Sequence, residues 1–157
     1  MKKIYITLKG YEKLKQELHY LKTVERPKVI EAIAEARAHG DLSENAEYDA
    51  AKEQQSFLET KIQKLETILA YANVVDTSKL SGDTVVFGAK VKLLDLDTDE
   101  ELTYQIVGTE EADPKNGLIS IESPIAKALV GKKVGDFVEV KVPKGIREFE
   151  ILDVYFE

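Results

Sequence analysis

The densest run of side chains that could do chemistry in this 157-residue sequence lies at Gly40–Glu53. Four carboxylates lie within Asp41–Asp49, and two of them, Asp41 and Glu44, flank Ser43. Magnesium takes hard oxygen ligands, and proteins usually supply one or two carboxylates and leave the other positions to water and phosphate. Asp41 and Glu44 also stand three residues apart, which is the spacing of a capping box with Asp in place of Ser or Thr. The residues alone therefore favour helix capping and leave metal binding open.

Two apolar stripes of helical period flank this run. The first stripe, interrupted by Pro27, comprises Leu8, Tyr11, Leu14, Leu18, Leu21, Val29, Ile33 and Ala36. The second follows alternate steps of four and three residues and comprises Glu44, Tyr48, Ala51, Gln55, Leu58, Ile62, Leu65, Leu69 and Ala72. This heptad seam is typical of a coiled coil. Because proline lacks an amide hydrogen, Pro27 is predicted to kink or break the first helix near Glu25–Arg26.

The connection between the two stripes is only a few residues long. Gly40 is predicted to end the first helix in the left-handed conformation, and Asp41 or Ser43 is predicted to cap the second. So short a connection requires antiparallel neighbours. We therefore expect a helical hairpin, an antiparallel coiled coil with its tip near residues 39–44.

The second half of the sequence is typical of a β-sheet domain. Six segments are predicted as strands: Val85–Phe87, Lys90–Asp95, Leu102–Val107, Leu118–Ile121, Phe137–Val142 and Glu148–Tyr155. Ser123 and Pro124 fit the N-cap and first position of one short helix. We therefore predict an α+β fold of two domains, a coiled-coil finger at residues 1–76 and a small antiparallel sheet domain with one short helix at residues 80–157.

Composition excludes several classes of protein. The net charge of −7 provides no general duplex-binding surface, so any nucleic-acid contact must be local or helped by a partner. The absence of cysteine excludes disulfides and thiolate metal sites, and two histidines are too few for most structural zinc sites. No signal peptide or membrane span is evident, so we expect a soluble cytoplasmic protein that does not engage membranes.

The acidic run and its surroundings resemble the GreA/GreB family of transcript-cleavage factors. The segments that match its N-terminal pattern are Arg26–Pro27, Ile33–Arg37, Gly40–Tyr48 and Ala50–Glu53. Those that match its C-terminal pattern are Ile119–Gly131 and Gly135–Asp136. The resemblance runs essentially end to end. It favours the GreA type over the GreB type, because only Arg37 and Lys52 stand out as basic residues beside the tip.

This resemblance implies a function and a mechanism. In the family, the coiled coil enters the secondary channel of RNA polymerase, and an FKBP-like C-terminal domain holds the channel rim. Asp41 and Glu44 would help hold a magnesium ion in the polymerase active site, which then cleaves the 3′ end of backtracked RNA. The chain would thus activate another enzyme and would have no nuclease activity itself. The magnesium would be shared with the polymerase and is not expected on the isolated protein.

Four other residues near the tip are weaker candidates. Ser43 could hydrogen-bond near the metal or its water, and N-capping is its alternative role. Arg37 and Lys52 would contact the RNA 3′ segment, since the family uses a basic patch there, and they could equally be solvated surface cations. Tyr48 lies on the seam, where core packing is favoured over a nucleic-acid contact.

Three alternative functions remain open at this point. A prolyl isomerase or chaperone on an FKBP-like domain would need an aromatic-lined pocket, which a chain without tryptophan is poorly equipped to form. A channel-binding regulator that does not stimulate cleavage would be expected to have an altered tip. A bare coiled coil would leave the polar tip and the second domain unexplained. A hairpin that buries its own seam also predicts a monomer.

Overall fold

The chain is represented by a computed structural model that describes residues 4–40 and 45–157. It divides into two units. One comprises the described residues up to Gly10 together with Asn73–Glu157, and the other comprises Tyr11–Ala72. The first residues, placed with the finger from sequence, thus group with the C-terminal unit, because β1 (Ile4–Thr7) pairs with β2 (Ala72–Val75).

Glu111 attaches β1 to the C-terminal unit. Its carboxylate accepts hydrogen bonds from the Thr7 N–H and the Gly108 N–H, each at 2.9 Å, and from the Thr7 hydroxyl. A side chain at Gly108 would have no room, since its Cβ would lie 2.1 Å from the Tyr5 carbonyl oxygen. Close backbone approach therefore requires glycine at this position.

The other unit is a helical hairpin. Its helices are α1 (Leu8–Tyr20), α2 (Arg26–Ala38) and α3 (Ala46–Tyr71). A bidentate ion pair links Arg26 to Glu59 at 2.8 Å, and Lys22 lies 3.6 Å from Glu66. Lys22 precedes Arg26 in the first half of the hairpin, whereas its partner Glu66 follows Glu59 in α3. The two halves of the hairpin are therefore antiparallel, as predicted.

Of the kink or break predicted near Glu25–Arg26, a break does not occur, because Pro27 does not end the first helix. A π-helical segment, Leu21–Glu25, joins α1 to α2, and the Arg26 N–H donates to the Leu21 carbonyl. An interior proline removes one i→i−4 hydrogen bond and crowds the preceding turn. The wider π turn absorbs this defect immediately before Pro27, so the backbone changes helix type and continues.

Burial along the hairpin follows the predicted seam. The fully buried apolar residues of this unit are Leu21, Val29, Ala36, Ala51, Ile62, Leu65 and Ile68. The half-buried members of the predicted seam include Ile33, Tyr48, Gln55, Leu58, Leu69 and Ala72. Ile68 alone among the buried residues was not on the predicted seam. The heptad pattern in α3 is therefore confirmed.

The C-terminal unit is built on a five-stranded sheet. Its strands are β3 (Lys90–Asp95), β4 (Glu101–Val107), β5 (Leu118–Ser120), β6 (Phe137–Val142) and β7 (Gly145–Tyr155). Their order is β5-β4-β3-β7-β6, and every neighbouring pair is antiparallel except β4 with β5. The predicted α+β class is confirmed, with one parallel pair added.

One predicted strand is absent. Val85–Phe87 does not form a strand: only Thr84 makes an isolated bridge, to Lys133, and a turn follows at Phe87–Gly88. Gly88 has φ +90°, a conformation that ends extended pairing and favours glycine. Val85 is nevertheless fully buried, which explains why its apolar surroundings resembled a core strand.

A short helix and the sheet enclose the core of this unit. Helix α4 (Pro124–Leu129) starts after Ser123, whose hydroxyl accepts from the Ala126 N–H, so the predicted cap is confirmed. The core comprises Val85, Ala89, Val91, Leu93, Ile106, Ile119, Ala126, Leu129, Val138, Val140, Phe149, Ile151 and Val154. No helix in the described ranges is long and apolar enough to cross a membrane.

Candidate functional site

The second helix of the hairpin is capped by a residue that the sequence analysis missed. Asn45 is the N-cap of α3, and its side-chain oxygen accepts from the Tyr48 N–H at 3.1 Å. The prediction that Asp41 or Ser43 caps this helix is therefore wrong. Asparagine is as good an N-cap as aspartate or serine, and Tyr48 occupies the third helical position that such a cap serves. This spacing was available in the sequence.

The first helix ends as predicted. His39 is the C-cap of α2, and Gly40 follows with φ +105°, in the left-handed region where glycine avoids the cost of a side chain. His39 Nδ1 also lies 2.9 Å from Glu47 Oε2, an exposed contact that links the end of α2 to the first turn of α3.

Asn45 makes a second connection across the hairpin. Its side-chain nitrogen donates to the Ala36 carbonyl, in the last turn of α2. The Ala36 carbonyl also accepts from the His39 N–H at 3.2 Å, so the bond from Asn45 is its second. One side chain thus joins the C-terminal end of α2 to the N-terminal end of α3.

Asp41, Ser43 and Glu44 lie outside the described residues. Their predicted roles therefore stay predictions. The capping result still bears on them, because Asn45 supplies the side-chain cap of α3. The capping-box interpretation of Asp41 and Glu44 loses its main support.

Magnesium is the metal that the family resemblance implies. Among the residues described, no group of three or more His, Asp or Glu side chains could hold a metal ion. Asp41 and Glu44 would offer hard oxygen ligands, but two carboxylates fall well short of the six positions that magnesium fills. Their chemistry fits an ion whose remaining ligands come from a partner.

The three weaker candidates near the tip are placed on the two helices. Arg37 is exposed in the last turn of α2, and no hydrogen bond or ion pair joins its side chain to another residue of the described part of the chain. Lys52 is exposed on α3, with its Nζ 3.3 Å from Gln55 Oε1. Tyr48 is half-buried on the seam. Their contact with RNA stays a prediction.

Ion pairs support the shaft behind the tip. The two hydrogen bonds from Arg26 to Glu59 raise the pKa of the guanidinium above its ordinary value. A further pair joins Lys61 to Glu17 at 3.1 Å. Each of these side chains is substantially exposed, so the pairs help set which residues face each other more than they stabilise the fold.

In the C-terminal unit, the buried carboxylate of Asp95 makes an ionic contact beside a groove. Arg147 donates to the Asp95 carboxylate at 2.7 Å, which lowers the pKa of Asp95, and the Asp97 N–H adds a second bond at 2.9 Å. The groove is lined by Asp95, Asp97, Thr98 and residues 142–147. No aromatic ring belongs to this lining, so the groove does not resemble the pocket that a prolyl isomerase needs.

Comparison with known families decides the classification. The family model for the N-terminal part of transcription elongation factors matches residues 4–74, and the model for the GreA/GreB C-terminal part matches residues 80–156. The chain belongs to the GreA/GreB family. The two matched segments meet near the boundary at which helical periodicity ends.

Individual members of the GreA/GreB family align along almost the whole chain. Transcription elongation factor GreA of Chelativorans sp. (strain BNC1) is 62% identical over 156 residues, which cover 99% of each chain. Transcription elongation factor GreA of Rhizobium leguminosarum bv. viciae is 60% identical over 154 residues, 98% of each chain. The crystal structure of GreA factor homolog 1 (Gfh1) of Thermus thermophilus is 31% identical, covers 98% of this chain and 99% of its own, and has a TM-score of 0.45.

Proposed function

We propose that this chain is a transcription elongation factor that inserts its helical hairpin into the secondary channel of RNA polymerase and stimulates cleavage of the 3′ end of backtracked RNA. Membership of the GreA/GreB family supports the proposal, as does the match to relatives named GreA over 98–99% of the chain. The chain acts on the active site of the polymerase and contributes no complete active site itself.

The hairpin provides the reach for this role. Helix α3 has 26 residues, which corresponds to about 39 Å of helix. A slender antiparallel pair of this length can carry its tip into a narrow channel. The ion pairs along the shaft and the apolar seam keep the two helices together while the tip is surrounded by the polymerase.

Asp41 and Glu44 act at the tip by supplying carboxylate oxygens to a magnesium ion completed by the polymerase and RNA. Such an ion would help to activate the attacking water or to stabilise the leaving oxygen in phosphodiester hydrolysis. Ser43 lies between the two acids and assists by a hydrogen bond. The observation that carries this proposal is the cap of α3: because Asn45 fills that position, the acids are not needed there.

The other proposed contacts are with RNA, near the tip, and with the polymerase, through the C-terminal domain. Arg37 and Lys52, on the two helices that flank the tip, contact the nascent RNA 3′ end through their cationic groups. Tyr48 packs on the seam and directs at most its hydroxyl toward nucleic acid. The C-terminal domain docks on the rim of the channel, and the chain acts as a monomer.

The test is transcript cleavage in a stalled, backtracked elongation complex with magnesium. Wild type, Asp41→Ala and Glu44→Ala are compared at saturating concentration, with polymerase binding measured in parallel. We expect either substitution to reduce stimulation by at least about 100-fold without loss of binding, because that is the upper range for loss of an outer-shell partner and each acid is proposed as a direct ligand. Asp49→Ala is the matched control, since it removes an exposed acid from the same run.

Two outcomes would contradict the proposal. If wild type binds polymerase without stimulating cleavage, the chain is a channel-binding regulator and the activator mechanism fails. If Asp49→Ala is as damaging as Asp41→Ala and Glu44→Ala, the requirement is for negative charge in general, and the assignment of two metal-supporting acids is wrong.

A further inference from the structure

The side chain of Asn45 forms hydrogen bonds through both ends of its amide. The oxygen accepts from the Tyr48 N–H at the start of α3, and the nitrogen donates to the Ala36 carbonyl at the end of α2. Capping requires only the acceptor. The donor therefore serves a purpose other than starting the helix.

The position requires an acceptor for the Tyr48 N–H and a donor for the Ala36 carbonyl, and an amide supplies them on two separate atoms. Aspartate has acceptors alone when ionised, and it would place a carboxylate against the Ala36 carbonyl. Serine can accept from the helix, but its hydroxyl is a single atom that lies closer to its own backbone than the amide nitrogen of Asn45 does, so a serine cap is expected to lose the bond to the Ala36 carbonyl. Ala36 is 3% exposed and sits on the seam, so the bond holds α3 to a fixed point of α2.

We propose that Asn45 is a positioning residue for the acidic tip. By tying the end of α2 to the start of α3, it fixes the separation of the two points between which residues 41–44 are connected. This inference rests on the proposed function. In that function, the fixed separation serves to keep Asp41 and Glu44 placed as ligands of the metal that they share with the polymerase.

Loss of the hydrogen bond from Asn45 to Ala36 should change the magnesium requirement for cleavage, whereas loss of folded protein should change the protein concentration required. If the helix ends separate, the two acids supply their oxygens less well, and more magnesium is needed to reach the same cleavage rate. A supporting residue of a metal site typically changes affinity by 10- to 100-fold. A variant that merely folds less well is corrected by adding more protein, whereas a mispositioned tip is corrected by adding more magnesium.

Asn45→Ser separates the two roles, because serine keeps the cap of α3 and loses the bond to Ala36. We expect about a 10-fold higher magnesium concentration for half-maximal cleavage, with helix content and polymerase affinity unchanged. Asn116→Ser is the matched control, since Asn116 also donates to a neighbour, Asp113, but in a turn of the C-terminal unit. It should leave the magnesium requirement at the wild-type value.

A second measurement follows the geometry without any cleavage. The sequence has no cysteine, so Ala34→Cys and Ala50→Cys, at exposed positions on α2 and α3, can be spin-labelled together without background. Electron–electron double resonance should show a broader distance distribution with Asn45→Ser than with wild type or Asn116→Ser. Asn45→Ala, which loses the cap as well, should broaden it further and also lower helix content.

The outcomes distinguish the inference from the proposed function. If wild type stimulates cleavage and Asn45→Ser matches it in magnesium requirement, the positioning role is wrong and the proposed function stands. An unchanged distance distribution would likewise overturn the role, because the tie would not be setting the separation. If wild type does not stimulate cleavage, the proposed function fails, and the positioning role fails with it.

Discussion

The two units of this protein are stabilised in different ways. In the C-terminal unit, thirteen buried side chains from strands, loops and a short helix form one core. In the described part of the hairpin, seven buried apolar residues are spread in a narrow seam along the helices. A broad core loses much when one large side chain is removed, whereas a narrow seam can partly close around the gap.

The polar contacts of the two units also differ, because those of the C-terminal unit are more buried than those of the hairpin. The C-terminal unit buries Asp95 against Arg147 and encloses Thr7 with Glu111. The hairpin uses exposed ion pairs along its shaft and the Asn45 tie at its end. The proposed chemistry belongs to Asp41 and Glu44, which are not needed for the side-chain cap of α3, so substitutions there should separate activity from folding.

The largest stability loss is expected from Phe149→Ala, which empties the centre of the C-terminal core. Phe149 is 0% exposed, and such truncations cost about 3–5 kcal/mol. Urea unfolding followed by circular dichroism measures the change. Phe137→Ala is the control, since this phenylalanine lies on a strand of the same sheet but is 66% exposed, and it should change stability by less than about 0.5 kcal/mol. Equal losses in the two variants would contradict the placement of the core.

A smaller loss is expected from Ile62→Ala on the hairpin seam. Ile62 is 1% exposed, yet its neighbours on a narrow seam can move inward, so the cost should be about 2 kcal/mol, at the low end of the range for such truncations. Ile30→Ala, at a 53% exposed position of α2, should be nearly neutral because alanine also favours helix. If Ile62→Ala costs as much as Phe149→Ala, the hairpin is packed as rigidly as the sheet domain, and the contrast fails.

Short sequence patterns predicted those features of the fold that depend on residues close to one another in the sequence. The seam of α3, the left-handed Gly40 and the cap at Ser123 each involve residues within a few positions of one another, and each is confirmed. The strands β3 and β6 were predicted at their observed bounds for the same reason, since alternation is a local signal.

Contacts between distant segments were not predictable in this way. Glu111 holds Thr7 across 104 positions, and no local pattern connects them. The Asn45 cap was in principle visible, but four acids and a serine offered competing caps nearby. The second bond of Asn45, to the Ala36 carbonyl, joins groups that only the folded hairpin brings within reach. The acidic site itself was suggested by family resemblance, since spacing alone favoured capping.

The third prediction concerns pH. Arg147 donates to Asp95 and lowers the pKa of that carboxyl, with a further bond from the Asp97 N–H. A carboxyl whose folded pKa is depressed stabilises the protein above its unfolded value, about 3.9, and loses that contribution as the pH falls through the folded value. Arg147→Met should therefore lower the melting temperature by several degrees at neutral pH, and the gap to wild type should narrow below about pH 4.

Calorimetry at pH 7 and at pH 3 measures this gap. Lys92→Met is the control, because it removes a more exposed pair, to Glu101 at 3.4 Å, and should have little effect at either pH. A gap for Arg147→Met that stays constant between the two conditions would show that packing over Phe149, and not the ionic contact, is what Arg147 contributes.

The smallest effect is expected at Arg26 on the hairpin shaft. Its guanidinium makes two hydrogen bonds to Glu59, but both side chains are more than one-third exposed, so solvent weakens the pair. Arg26→Lys, which keeps the charge and loses the bidentate geometry, should lower the melting temperature by about a degree or two, and less in high salt. If the shift instead matches that of Ile62→Ala, the hairpin depends on its polar ties as much as on its seam. The tip would then be coupled to the shaft, and Arg26→Lys should also raise the magnesium requirement for cleavage.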